Sequence, residues 1–103
     1  MQRGEIWWAV LDPPAGHRPV LLLSRNSSYG LRDYVLVSPL TSRIRNILSE
    51  VPLTTQEGLP KPCVVNLDVV HTISKKRLQE KLTGLSPEKM RAVEGALRFV
   101  MGI

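Results

Sequence analysis

Apolar positions along this chain fall into short runs separated by turn-forming residues, and helical spacing sets in only near the C-terminus. Glu5 to Leu11 reads as a strand rich in Ile and Trp. Asp12-Pro13-Pro14-Ala15-Gly16 cannot continue it, because proline lacks the ladder donor and glycine favours turns. Arg18 to Ser24 is a continuous aliphatic run, the signature of a strand buried on both faces. A polar loop from Arg25 to Gly30 leads to a third strand, Tyr34 to Pro39. Thr41 to Asn46 is a polar, basic loop, Val51 to Leu53 begins a short strand, and Thr54 to Pro62 is a loop punctuated by Gly and Pro. Pro62 to Leu67 is a further strand. Asp68 to Leu78 is ambiguous: Val69, Val70 and Ile73 suit a strand, whereas Lys76 to Leu82 could turn helical.

Ser86-Pro87-Glu88 is a helix start, with a capping hydroxyl, proline at the first helical position and an acid in the first turn. Met90, Val93, Leu97 and Val100 recur at helical spacing with Ala96 beside them, and Gly102 ends the pattern. No internal repeat, low-complexity stretch or linker interrupts the chain, so residues 1–103 read as one domain. Short strands followed by one helix point to a mainly β fold: a small antiparallel β-barrel or strongly bent sheet with a C-terminal α-helix packed on it.

The 103 residues are 43% apolar, too rich for a disordered chain and ordinary for a folded one. A domain of this size buries a modest share of its surface, so a pairing partner would help it. No apolar run reaches the length of a membrane span, no secretion-signal pattern opens the chain, and Cys63 has no second cysteine to pair with; these point to a cytoplasmic protein without membrane contact. The net charge of +5 changes the picture most, because it favours a polyanionic partner, of which nucleic acid is the commonest. Arg18, Arg25, Arg32, Arg43 and Arg45 lie in one half, and Lys75-Lys76-Arg77 form a block in the other. An acidic protein covering these charges fits equally well.

The first turn delivers an adjacent His17-Arg18 pair to the mouth of the second strand. Arginine offers a permanent planar fork for phosphate, and histidine exchanges a proton near neutral pH. Arg18 thus reads as a phosphate ligand, with a surface ion pair to Asp12 or Glu5 as the alternative. His17 is either an acid or base or a turn residue that hydrogen-bonds the loop. The two side chains can converge only if His17 stays in the turn, since neighbours on a strand point to opposite faces. His71 is a second proton-transfer candidate, or a surface histidine beside Asp68. Thr41 by itself reads as a loop cap on the Ser42-Arg43 turn. Of Trp7 and Trp8, one should face the core and one outward; the outward ring could stack a base, but an interface or the core is the preferred reading for both. No His/Cys/Asp cluster has metal-ligand spacing and no Gly-rich nucleotide loop follows a strand, so no metal or cofactor is expected. Cys63 reads as a small buried hydrophobe.

Arg3-Gly4-Glu5-Ile6-Trp7-Trp8, Gly16-His17-Arg18-Pro19-Val20, Ser38-Pro39-Leu40-Thr41-Ser42, Gly58-Leu59-Pro60 and Leu82-Thr83-Gly84-Leu85-Ser86 occur in this order. Together, from Arg3 to Ile103, they resemble the MazF/PemK (Kid-like) toxins of bacterial type II toxin–antitoxin modules. The resemblance implies an SH3-like, CcdB-like barrel. It implies a homodimer that cuts single-stranded RNA, messenger RNA included, at short sequences without a metal, and a MazE-like antitoxin encoded alongside. It also implies that Arg18 and Thr41 act at the scissile phosphate. The chain departs from the pattern at Val10, Cys63 and His71-Thr72, positions that bear on the cleavage sequence.

On that reading the 2′-hydroxyl attacks the adjacent phosphorus and leaves a 2′,3′-cyclic phosphate and a 5′-hydroxyl. Arg18 stabilises the charge, Thr41 donates one further hydrogen bond, and His17 is the proton-transfer candidate. Arg25, Arg43, Arg45, Ser42, Lys76 and Arg77 are expected to hold the RNA. The alternative class is a non-catalytic CcdB-like toxin that binds a protein such as gyrase; a third is a barrel that binds RNA and leaves it intact.

Overall fold

The aliphatic run after the first turn forms the centre of the sheet, as its double-sided burial requires. The computed structural model describes residues 1–103. Strand β1 (Glu5–Val10) pairs antiparallel with β2 (His17–Leu22), and β2 with β3 (Tyr34–Thr41). Alternate residues of β2 serve two cores. Leu21, with Leu23 just beyond the strand, packs beside Ile6, Leu53, Val65 and Val93; Val20 and Leu22 pack beside Ala9, Val35, Val37 and Ile73. Strands β4 (Glu50–Leu53), β5 (Cys63–Asn66), β6 (His71–Ser74) and β7 (Leu78–Gly84) complete a seven-stranded sheet. Its order is β4-β5-β3-β2-β1-β7, with β6 also on β3. The expected barrel or bent sheet is therefore an open, bent sheet: β4 and β7 end the path and do not pair with each other.

Helix α1 (Pro87–Met101) begins where Ser86 Oγ accepts the Lys89 N–H at 3.1 Å and ends at Gly102 in the left-handed region. Met90, Val93 and Ala96 enter the first core, with Leu97 and Val100 against its edge, as their spacing predicts. No helix is long and apolar enough to cross a membrane.

The helical option for Lys76 to Leu82 fails. Only one 3₁₀ turn, Lys75–Arg77, precedes β7, which supplies ladder partners to the second edge of β1. Leu78 and Leu82 are four residues apart, a spacing that fits both the 3.6 and the 2.0 period, so the pattern alone could not decide. Two register shifts against β1 then place Leu82 at the first core and Leu78 at the second. Glu5 ties the two strands further. Burial pushes its carboxyl up, but bonds from Trp7 Nε1, the Gln2 N–H and Lys81 outweigh this and hold it below its ordinary value.

Candidate active site

The site grows from a gap that opens where Pro39 ends the β2–β3 ladder and β3 turns away. Val20 pairs with Pro39 at the end of the β2–β3 ladder, and Pro39 has no N–H to carry it further. Strand β3 then leaves β2: Leu40 and Thr41 pair with Val65 and Val64 of β5. Continuing the β2–β3 register by two residues sets Arg18 across from Thr41, at the point where the strands have parted. Both residues are half-buried, and both line two neighbouring cavities. They form the ridge between a cleft of about 290 Å³ and a trough of about 930 Å³.

Gly16, at φ 62°, ends the first turn and turns the chain into β2; the Leu11 N–H donates to its carbonyl at 2.9 Å. Arg18 Nε donates to the Ala15 carbonyl at 3.1 Å, which anchors the guanidinium at its base. Arg18 makes no ion pair. The two acids considered for it are taken, Asp12 by Arg77 at 3.0 Å and Glu5 by Lys81 at 3.3 Å. The fork is thus a fixed cation without a counter-charge. Thr41 Oγ1 accepts the Arg43 N–H at 3.2 Å, the cap its sequence predicts. A hydroxyl that accepts one bond still has its hydrogen to donate.

His17 is not in the turn. It opens β2 opposite Val10, on the face that carries Trp8, so its side chain leaves the strand opposite to that of Arg18. Its ring stacks on Trp8 with centroids 4.7 Å apart and planes 14° from parallel. Nε2 lies 3.0 Å from Gln79 Oε1, a hydrogen bond that holds the ring. His17 lines the cleft, while His71 lines the trough. Trp7 packs against the second core, and Trp8 lines the cleft instead of entering a core.

The expected cations divide. Arg43, Arg45 and Arg77 line the trough with Arg18. Arg45 Nη1 is 3.7 Å from the buried Glu50 carboxylate, and Arg77 also donates to the Val10 carbonyl at 3.1 Å. Ser42 lines the cleft. Arg25 and Lys76 are exposed and line neither cavity. Sequence reasoning missed two neighbours. Gln79 reaches His17 because it sits at a register shift, where a strand re-aims its side chain; nothing local in the sequence marks this. Lys61 lines the cleft, and its signal was the Gly58-Leu59-Pro60 element just before it.

That element is held rigidly. Thr54 and Glu57 cap a 3₁₀ turn reciprocally, Gly58 closes it at φ 93°, and Thr83 Oγ1 of β7 donates to the Glu57 carbonyl at 2.8 Å. A Cβ on Gly58 would lie 2.6 Å from Thr83 Oγ1. Gly58→Ala is therefore expected to lower unfolding free energy by about 2 kcal/mol, from the left-handed backbone and the clash together. Urea denaturation reads it, and in a Thr83→Ala background, which has already lost the bond to the Glu57 carbonyl, Gly58→Ala should cost only the backbone component.

Burial pushes the Cys63 thiol up, the carboxylate of Glu57 adds to this, and Lys61 opposes it. The thiol stays protonated and is no nucleophile. No three His, Cys, Asp or Glu side chains converge to form a metal-ligand set. The ridge offers a fixed guanidinium and a hydroxyl, with one histidine in each flanking cavity. This arrangement can grip a phosphodiester and stabilise added charge on it.

Comparisons with known proteins agree over nearly the whole length. Residues 2–101 match the family model described as PemK-like, MazF-like toxin of type II toxin-antitoxin system. The "Probable endoribonuclease MazF2" of Mycobacterium tuberculosis H37Rv is 38% identical over 103 residues, covering 99% of each chain. The "Probable endoribonuclease MazF5" of the same organism is 38% identical over 100 residues, 96% of this chain and 91% of that one. Among solved structures, the Mycobacterium tuberculosis toxin MazF-mt6 superposes with a TM-score of 0.89 at 30% identity, over 96% of this chain and 97% of that one. An endoribonuclease in complex with its cognate antitoxin, from a mycobacterial species, gives 0.90 at 26% identity over 100% and 96%.

Proposed function

The chain belongs to the PemK-like, MazF-like toxin family of type II toxin–antitoxin systems, and on that premise we propose that it cuts single-stranded RNA at the Arg18–Thr41 ridge without a metal. The observation that carries the reading is the unpaired Arg18 guanidinium set across from the Thr41 hydroxyl where β2 and β3 part. A ribose 2′-oxygen loses its proton and attacks the adjacent phosphorus in line. The 5′-oxygen leaves and takes up a proton, giving a 2′,3′-cyclic phosphate and a 5′-hydroxyl. Arg18 donates to the phosphoryl oxygens as negative charge gathers on them, and Thr41 adds a neutral donor. His17 is the proton-transfer candidate in the cleft and His71 the one in the trough.

The trough, with Arg43, Arg45 and Arg77, suits an RNA backbone or the acidic segment of the antitoxin that neutralises the toxin. Leu48, Val51, Pro52 and Phe99 line an apolar groove between β4 and α1, a surface suited to pairing as a homodimer. A cytoplasmic location follows from this messenger-RNA substrate. Relatives that carry the endoribonuclease name favour catalysis over the non-catalytic gyrase-binding alternative.

The test is product chemistry. Purified protein incubated with mixed RNA in excess chelator should leave 5′-hydroxyl ends that accept phosphate from a polynucleotide kinase. Ends that already carry a 5′-phosphate, or activity that appears only with magnesium, would refute the mechanism.

A further inference from the structure

The two cavities beside the ridge differ in kind. The trough adds three arginines to Arg18 and is about 930 Å³, whereas the cleft adds one lysine, Lys61, and is about 290 Å³. Phosphates need cations along their path; bases need flat apolar walls and a few directional polar groups. The cleft has such walls. The stacked Trp8 and His17 rings line it together with Pro19 and the Leu59-Pro60 pair. His17 is exposed, so its ring is within reach of a ligand that enters the cleft. Outside the ridge and the stacked rings, the polar side chains of the lining are Lys61, Ser42 and the Cys63 thiol. The cleft lies at the small end of ligand-sized pockets, which run from about 300 to 1,000 Å³. It has room for a single planar ring system, not for a run of nucleotides.

From these features, and resting on the nuclease reading above, we infer that the cleft is a subsite for one nucleobase adjoining the scissile phosphate, and that Lys61 and the Trp8–His17 stack read it. The strand then crosses the ridge asymmetrically. One base is held and read in the cleft, and the rest of the chain follows the arginines of the trough. Gly58 matters to this subsite because its turn, fastened to β7 through Thr83, fixes the wall that presents Lys61. His17 gains a second duty, since its bond to Gln79 fixes the plane of the stack.

Lys61→Met keeps the apolar stem and removes the charge, and Lys61 is exposed enough that the fold should be unaffected. Cut ends from a randomised RNA pool are mapped for wild type, Lys61→Met, Lys61→Glu and Lys61→Arg, with circular dichroism to confirm folding. Lys61→Met should relax base preference about tenfold at one position next to the cut, the scale of a single base contact, and leave other positions unchanged. Lys61→Glu should disturb that same position more, and Lys61→Arg should restore it. The dependence of RNA affinity on salt should keep its slope. A slope shallower by about 0.7, with a uniform loss over all sequences, would make Lys61 a phosphate contact and overturn the proposal. An unchanged cleavage map would also overturn it, and a simultaneous loss of inhibition by an acidic antitoxin peptide would assign the cleft to protein instead. In those outcomes wild type still cuts RNA, so the nuclease reading survives. Wild type that cuts nothing removes both.

Discussion

Arg18→Ala should cut RNA about 10³-fold more slowly than wild type while folding normally. The rate follows from what the guanidinium has to do. Charge on the non-bridging oxygens rises as the 2′-oxygen attacks, and a fixed cation already in place needs no reorganisation to meet it. One lost neutral oxyanion donor costs on the order of 10²–10³ in rate, and an arginine on a transferring phosphoryl group contributes about 10³–10⁵. The fold should tolerate the change, because Arg18 has no acid partner and only its Nε is engaged, on the Ala15 carbonyl. Losing that bond costs about 1 kcal/mol. Arg18→Lys should rescue little, since an ammonium cannot offer two parallel bonds from a plane. Initial rates on a fluorogenic RNA oligonucleotide, with thermal melts of the same samples, read both effects. A rate within tenfold of wild type would place the phosphate elsewhere.

Thr41→Val should lower kcat about 10²-fold and leave KM nearly unchanged. Valine keeps the branched shape and removes the donor, so the loss falls on an interaction made in the transition state. The same change removes the acceptor for the Arg43 N–H and loosens the loop that carries Arg43. Thr41→Ser separates the two effects, because serine retains both the acceptor and the donor. Its rate should stay within about tenfold of wild type. If serine is as slow as valine, the side chain acts through packing and not through its hydroxyl.

Much of the molecule was legible because its signals are local. The double-sided burial of β2 follows from an unbroken aliphatic run, and the α1 stripe from Met90, Val93 and Ala96 at helical spacing. Arg18 was legible because a turn ending in glycine delivers it to a strand mouth. Thr41 read alone was only a cap, and its bond to Arg43 bears that out; its place across from Arg18 comes from a register that no local pattern encodes. β7 was missed as a strand because a leucine spacing of four serves either period. The cationic loops were legible as charge but not as position. Arg43, Arg45 and Arg77 meet in one trough, whereas Arg25 and Lys76 lie outside both cavities.

The strands β1 to β5, the closing helix, the positive charge and the candidate guanidinium were written in the amino-acid sequence, because each is read from local composition and spacing. Tertiary structure alone decided that β3 leaves β2 after Pro39, that Arg18 and Thr41 line the same two cavities, and that Lys61, from the loop before β5, and Gln79, from β7, come to the cleft and to His17. Those juxtapositions depend on strand pairing between segments far apart along the chain. Such pairing is fixed by the joint burial of two cores and not by any one segment's preference.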